Sequence, residues 1–290
     1  LPVILHDQGF DQVVVDLLNI WTGAPNLSQW HRIVDTLDHP RHNVKIGIVG
    51  KYVNVWDSYK SITESLTHAG IFNHSKVEIC LFDASEVHES NVSDLLDSCD
   101  GVIVPGGFGE RGVEGKMVAI HYLRRSGKPF LGICLGMQLA AIEFARNKLG
   151  LVGANSQEFD PKTKDLIIHI MEDQKNVTAK GGTMRLGGYP CKLKAGSKVR
   201  QAYNAEVVSE RHRHRFEFNN QFRELFEEQG MVFSGLSPDG SLVEVMELSD
   251  HPWFVSCQFH PELKSKPMSP HPLFRELVRA ALTHKQKHQV

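Results

Sequence analysis

Apolar residues recur along this chain with two different periods, and the sharpest change from one to the other falls on a single cysteine. The run Pro129-Phe130-Leu131-Gly132-Ile133-Cys134 is continuously apolar, as a strand buried on both faces would be. From Leu135 onward the apolar positions Leu135, Leu139, Ile142 and Phe144 or Ala145 fall at helical spacing. Cys134 therefore marks a corner where a buried strand turns into a helix, with Gly132 and Gly136 on either side of it. Such an elbow is expected to hold its middle residue in strained backbone geometry, and the small flanking residues are expected to let a substrate approach closely. The helix amino terminus also favours thiolate over thiol. The position suits a nucleophile, the plainer alternative being a buried core cysteine.

The two periods alternate through the middle of the chain. Apolar stretches at 44–49, 77–82, 101–104 and 130–134 predict strands, and each is followed by a helical pattern, at about 57–69, 92–96, 113–125 and from 135 onward. This alternation predicts an α/β fold in three layers, with a mostly parallel central sheet covered by helices on both faces. Ligands of such sheets bind beyond the carboxyl ends of the strands. Both glycine-bearing turns, 105–109 and 132–136, lie at that edge. From residue 166 strands dominate, at 166–170, 205–208, 231–236, 242–248 and 253–259, before a closing helix over about 272–285. Residues 1–43 break the rhythm with a helix around 12–20, the segment Gly23-Ala24-Pro25-Asn26-Leu27-Ser28, a helix over 28–37 capped by Ser28, and a polar turn at 39–43. They read as a linker packed on a neighbouring unit, which divides the chain into 1–43 and 44–290. No internal repeat is visible.

Composition narrows the picture without adding chemistry. The 290 residues are 41% hydrophobic and 23% charged, with a formal net charge of −2. That is enough apolar material for a full core, and no bulk charge calls for nucleic acid or another electrostatic partner. The five cysteines (Cys80, Cys99, Cys134, Cys191, Cys257) form no C-x-x-C pair, so neither a disulfide framework nor a zinc site is expected and a reducing cytoplasm fits best. The longest apolar runs fall far short of the ~20 residues a membrane span requires. Because the chain opens Leu1-Pro2 without Met, a piece of a longer protein is expected.

A cysteine nucleophile requires a base, and the base an orienting group. Among sixteen histidines, spacing selects His260. The stretch Trp253-Phe254-Val255-Ser256-Cys257-Gln258-Phe259 is a buried-strand pattern that delivers His260 at its carboxyl end, the same edge as Cys134. Pro261 is expected to keep His260 extended and to forbid a helix, so that Glu262 can turn back and fix the imidazole tautomer. The lone His-Pro-Glu would be read as a strand-end turn; with the elbow it completes a Cys134, His260, Glu262 triad.

The other glycine turn, Val104-Pro105-Gly106-Gly107-Phe108-Gly109-Glu110-Arg111-Gly112, contains a literal G-x-G-x-x-G at Gly107, Gly109 and Gly112. A dinucleotide fingerprint would open the first βα unit and be followed about 20 residues later by an acidic residue ending the next strand. Here the next strand ends at Cys134. Nor is Gly115-Lys116-Met117 a phosphate loop, since Glu110 stands where its first glycine belongs and Met117 replaces Ser or Thr. The better use of Gly106-Gly107 is an exposed backbone N–H that joins the N–H of Leu135 in an oxyanion hole. The run Arg211-His212-Arg213-His214-Arg215 reads on its own as a solvated face, with an RNA or phosphate patch the next alternative.

Gly132-Ile133-Cys134-Leu135-Gly136-Met137-Gln138, Pro105-Gly106-Gly107 and His260-Pro261-Glu262 together resemble the motifs of the class I (triad) glutamine amidotransferases, whose fold is flavodoxin-like. More narrowly, Gly50-Lys51-Tyr52-Val53, Asp57-Ser58-Tyr59-Lys60-Ser61, the 107–115 loop, Asn155-Ser156-Gln157-Glu158-Phe159, Gly181-Gly182-Thr183-Met184-Arg185-Leu186-Gly187 and the stretch from Glu210 to Glu217 resemble the glutaminase half of CTP synthases. The family pattern has Asn-Ser-Thr-Glu where this chain has Gln157, and no consequence attaches to it.

The resemblance implies hydrolysis of L-glutamine to glutamate and ammonia through a Cys134 γ-glutamyl thioester. It implies glutamine binding by the backbone of Gly107, by Leu135, Gly136, Met137 and Gln138, by Glu158 and Arg215, and by the main chain of Phe216. A carboxylate for the substrate ammonium and a guanidinium for its carboxylate suit a zwitterion. It implies no cofactor or metal in this domain. Ammonia would pass to a covalently linked synthetase domain that handles ATP, Mg and UTP and of which residues 1–43 would be the tail and linker. GTP would be an allosteric activator, with Phe108, Glu110 and Arg111 on a mobile glycine-rich loop as candidates for the response; the alternative for Phe108 is packing on the neighbouring domain. The full-length family member would be a homotetramer, with neither nucleic acid nor membrane as partner. Other readings are a different class I amidotransferase, a γ-glutamyl hydrolase, or a non-catalytic regulatory or assembly module.

Overall fold

Burial begins at Val44: every side chain before it is exposed or half-buried, and from Val44 the first strand runs inside the molecule. The computed structural model describes residues 1–53, 55–171 and 184–288, so Gly181, Gly182 and Thr183 of the glycine-rich motif lie outside the described residues.

The amino-terminal segment carries helices α1 (Pro2–Asp7), α2 (Phe10–Leu17) and α3 (Ser28–Asp38), none with a buried residue. Ser28 is not the cap expected of it. Leu27 holds the cap position, and the Ser28 N–H donates to Asn26 Oδ1 (3.1 Å), so the side chain two residues upstream serves instead. The α/β alternation then appears as read: β1 (His42–Gly50), α4 (Lys60–Phe72), β2 (Ser75–Asp83), α5 (Val92–Leu96), β3 (Gly101–Val104), α6 (Val113–Ser126), β4 (Phe130–Ile133) and α7 (Leu135–Asn147). The helix expected from residue 57 begins as a 3-10 turn over Trp56–Tyr59 before α4.

The second half contains β5 (Asn155–Ser156), β6 (Leu166–Ile170), β7 (Arg185–Leu193), α8 (Lys198–Tyr203), β8 (Val207–His214), β9 (Phe216–Phe218), α9 (Arg223–Glu228), β10 (Met231–Leu236), β11 (Val243–Leu248), β12 (Phe254–Cys257) and α10 (Pro272–His288). Two strands depart from the apolar pattern. β7 carries Gly187, Gly188 and Pro190, which weaken the strand signal. β8 runs six residues beyond 208, through the charged run to His214, and pairs antiparallel with β7 from Arg185↔His214 to Lys192↔Val207.

The nine-stranded sheet has the order β2-β1-β3-β4-β12-β11-β10-β7-β8. β2, β1, β3, β4 and β12 are mutually parallel, and an antiparallel extension follows from β11. A separate three-stranded sheet, β5-β6-β9, lies alongside. Two apolar clusters fill the faces of the large sheet. Leu123, Leu139, Ile142 and Phe254 belong to one, and Ile62, Leu66, Leu277 and Val278 to the other. This is the three-layer α/β architecture, and β4 and β12 bring Cys134 and His260 to adjacent strand ends.

Packing explains the two glycines at the elbow differently from substrate access. A Cβ on Gly136 would stand 2.0 Å from the Val104 carbonyl oxygen, and one on Gly132 would stand 2.9 Å from the backbone of Gly136. They are small because β3, β4 and the first turn of α7 touch backbone to backbone. Gly136→Ala is therefore expected to destabilise the chain by more than ~3 kcal/mol, since backbone cannot yield as a side chain can. A thermal unfolding midpoint within a degree or two of wild type would contradict this.

Candidate active site

Cys134 is the residue between β4 and α7, and its backbone is bent to φ 53°, ψ −104°, a conformation that costs a side-chain-bearing residue about 1–3 kcal/mol. The surroundings hold it there. Its N–H donates to the Cys257 carbonyl (2.8 Å), while its carbonyl accepts from the N–H of Met137 (3.0 Å) and Gln138 (3.2 Å). Those bonds consume two of the four amino-terminal donors of α7 and leave the N–H groups of Leu135 and Gly136 without partners among the described residues. The thiol is nearly buried, at 5% exposure. It lies within 3.9 Å of the Arg213 carbonyl, and Gln258 Nε2 points at Sγ from 3.7 Å.

His260 follows β12, and its N–H is fixed to the Arg211 carbonyl of β8 (2.7 Å). Pro261 does not exclude a helix after it, as the sequence suggested. It opens a single 3-10 turn, Pro261–Leu263, because proline at a first helical position forfeits no hydrogen bond. That turn brings Glu262 back onto the imidazole, with His260 Nδ1 to Glu262 Oε1 at 2.8 Å. Nδ1–H is thereby committed to the carboxylate and Nε2 is left for chemistry. Burial alone would lower the imidazole pKa, but hydrogen bonding and charge from Cys134 and Glu262 outweigh it and raise it to about 10. Nε2 is buried without a hydrogen-bond partner among the described residues.

The turn 105–109 lies across from this pair. A Cβ on Gly106 would meet His260 Cε1 at 3.3 Å and Cys134 Cβ at 3.4 Å, so nothing larger than glycine fits beside Cys134 without displacing a neighbour. Gly107 faces Leu135 and the Lys51 side chain. Lys51 Nζ donates to the carbonyls of Phe108 (3.1 Å) and Gly109, and Arg111 donates to the Lys51 carbonyl. Glu158 reaches the loop from beside β5, accepting the Gly109 N–H on Oε1 (3.2 Å). Phe108 is half exposed with the Arg213 guanidinium 5.7 Å from its ring centre.

The residues expected to bind substrate divide into two groups. Leu135 and Gly136 stand at the head of α7 next to Cys134, Gly107 adjoins Leu135, and the Glu158 carboxylate meets the Gly109 N–H. Met137 and Gln138 point inward: Met137 is 1% exposed in the core, and Gln138 Nε2 donates to the Phe216 carbonyl and to Gln258 Oε1, both at 3.1 Å. The Phe216 carbonyl also contacts His214 Nδ1 (2.9 Å), so it is already engaged. Arg215 lies between β8 and β9, where its carbonyl accepts from Met171 N–H (3.0 Å). Gln258, the residue that sequence reasoning missed, links Gln138 to the sulfur; its only signal was its place two residues before His260.

The basic run is solvated on one side only. Strand alternation turns His212 and His214 inward and Arg211 and Arg213 outward. Burial, and then the charge of Arg185, lower His212 to about 2 and His214 to about 3, so both are neutral near His260. Arg185 in turn meets buried Glu244 at 2.7 Å. A cavity of about 680 Å³ along α6 and α7, lined by His121, Tyr122 and Arg146 among others, contains none of Cys134, His260 and Glu262. Among the described residues no cluster of metal ligands occurs and no helix is long and apolar enough to cross a membrane.

Comparison with known proteins bears on this arrangement. The family model described as glutamine amidotransferase class-I matches residues 54–280. The CTP synthase of Trichlorobacter lovleyi is 55% identical over 288 residues, 99% of this chain and 54% of that protein, so the chain spans about half the length of the curated relatives it matches. Among solved structures, the Trypanosoma brucei CTPS glutaminase domain with bound acivicin superposes with a TM-score of 0.77 at 35% identity, covering 83% of this chain and 94% of that one. A putative GMP synthase subunit from Thermoplasma acidophilum, at 16% identity and a TM-score of 0.56, shares the fold.

Proposed function

Since the chain belongs to the class-I glutamine amidotransferase family, as a domain homologous to the glutaminase domain of CTP synthase, we propose that Cys134, His260 and Glu262 are its catalytic triad and L-glutamine its substrate. The observation that carries this reading is the 2.8 Å Glu262–His260 contact beside a cysteine held in strained backbone at the head of a helix. Sγ attacks the substrate carboxamide carbon, the oxyanion is held by the N–H of Leu135 and of the 106–107 turn, and the His260 imidazolium gives its proton to the departing ammonia. Water, deprotonated by His260, then hydrolyses the γ-glutamyl thioester. Glu158 faces the substrate ammonium and Arg215 its carboxylate.

The wider assignment is proposed on the same footing. Ammonia formed here would aminate UTP in an ATP- and Mg-dependent reaction of a linked synthetase unit, with residues 1–43 as the connection and 44–290 as the glutaminase. GTP would stimulate hydrolysis through Phe108 and Arg111, and the assembled protein would be a cytoplasmic tetramer. The test is ammonia release from glutamine measured with and without GTP. Turnover of free glutamine supports the reading. Release of glutamate only from polyglutamyl peptides would replace it with a γ-glutamyl hydrolase.

A further inference from the structure

Lys116 is among the largest fully buried side chains of the described residues, at 0% exposure, and the steps above give it no part. Taking an ammonium out of water costs several kcal/mol unless something specific is gained. Here its Nζ donates to the Pro105 carbonyl (2.8 Å), the residue immediately before Gly106. A methionine, one atom shorter, would fill most of the same space in α6 without that cost.

The geometry of one peptide gives the lysine a purpose. No cis peptide occurs among the described residues, so the Gly106 N–H is antiparallel to the Pro105 carbonyl. The carbonyl is drawn inward to the buried Nζ, so the N–H points away from Lys116, and Gly106 itself adjoins Cys134 and His260. Lys51 does the same a few residues later: it takes the Phe108 and Gly109 carbonyls, and the Gly109 N–H faces Glu158. Two lysines thus hold three carbonyls of one loop and fix the orientation of the peptide N–H groups paired with them. We propose that Lys116 is a positioning residue for glutamine hydrolysis, clamping the Pro105–Gly106 peptide so that the Gly106 N–H is preorganised as an oxyanion donor beside Cys134. Burial, and then the charge of Lys51, lower the Lys116 pKa to about 7 against the opposing influence of Cys134, and the amine donates to the carbonyl in either protonation state. Without the clamp the glycine-rich peptide is free to rotate, which exchanges a donor facing the oxyanion for a carbonyl that repels it.

The inference rests on the glutaminase reading, and the experiment separates the two. Lys116→Met and wild type are compared in three measurements: steady-state glutamine hydrolysis, the rate of Cys134 alkylation by iodoacetamide, and the thermal midpoint. Iodoacetamide reacts by displacement of iodide at carbon and forms no oxyanion. The expected result is a fall in kcat of about 10- to 100-fold, with KM and the alkylation rate within about twofold of wild type and no loss of thermal stability. Wild-type kcat in the variant would overturn the proposal alone. A parallel collapse of kcat, alkylation and thermal midpoint would also overturn it, by making Lys116 a structural residue. Absence of ammonia release by the wild-type chain would remove the glutaminase reading and this proposal with it.

Discussion

Cys134→Ala is expected to abolish glutamine hydrolysis, by ~10⁴-fold or more, while leaving the chain folded. The substitution removes one sulfur from a cleft and keeps a Cβ, so the backbone bonds that hold φ at 53° survive it. Covalent catalysis has no substitute in this cleft. Burial pushes the Cys99 thiol up to about 12 and raises the thiols of Cys191 and Cys257 well above the ordinary range, so all three remain protonated and unreactive at neutral pH. Cys80 lies on β2, at the far side of β1 from Cys134. An electrophile added to the wild-type chain should therefore give one early adduct, on Cys134, by peptide mass spectrometry. An adduct formed first on Cys99, Cys191 or Cys257, or glutaminase activity retained by Cys134→Ala, would refute the nucleophile assignment.

The legible parts of this site were those encoded locally. The change of apolar period at Cys134 places the elbow, because a buried strand and a helix differ over a few residues of sequence. The proximity of His260 and Glu262 is also local, although the 3-10 turn that joins them was hidden by the usual reading of proline as a breaker. What stayed hidden depends on partners distant in sequence. Gly136 is small because of Val104, and Lys116 is buried under Pro105, contacts set by how β3 packs on α6 and α7. Gln258 acts through Gln138, 120 residues away. Strand β7 was missed because Gly187, Gly188 and Pro190 erase the apolar alternation, and its pairing with β8 is what turns His212 and His214 inward. Glu158 and Arg215 drew a role only from family resemblance, since a half-buried carboxylate and one arginine in a basic run carry no local signal.

Glu262→Gln should lower kcat by ~10²- to 10⁴-fold with a smaller change in KM, because the carboxylate matters most when the imidazolium forms. The amide can still accept from Nδ1–H, so ring placement is largely retained and the missing element is charge. The pH behaviour makes this separable from a packing defect. His260 has a pKa raised from 6.5 to about 10 in the folded chain, burial opposing and Cys134 and Glu262 together prevailing. A group raised on folding stabilises the native state fully below its unfolded pKa, and that contribution disappears as pH rises through the folded value. The imidazolium contribution is thus complete below about pH 6.5 and is lost by about pH 10. Removing the Glu262 charge leaves burial less opposed, so the His260 pKa must fall and the upper edge of this window must move down. Cys134→Ala removes the other raising partner and should shift it in the same direction. NMR titration of the His260 Cε1–H resonance in the three proteins reads this directly. A His260 pKa in Glu262→Gln equal to that of wild type would mean that the carboxylate sets only the ring's orientation, and the kcat loss would then have to arise from geometry alone.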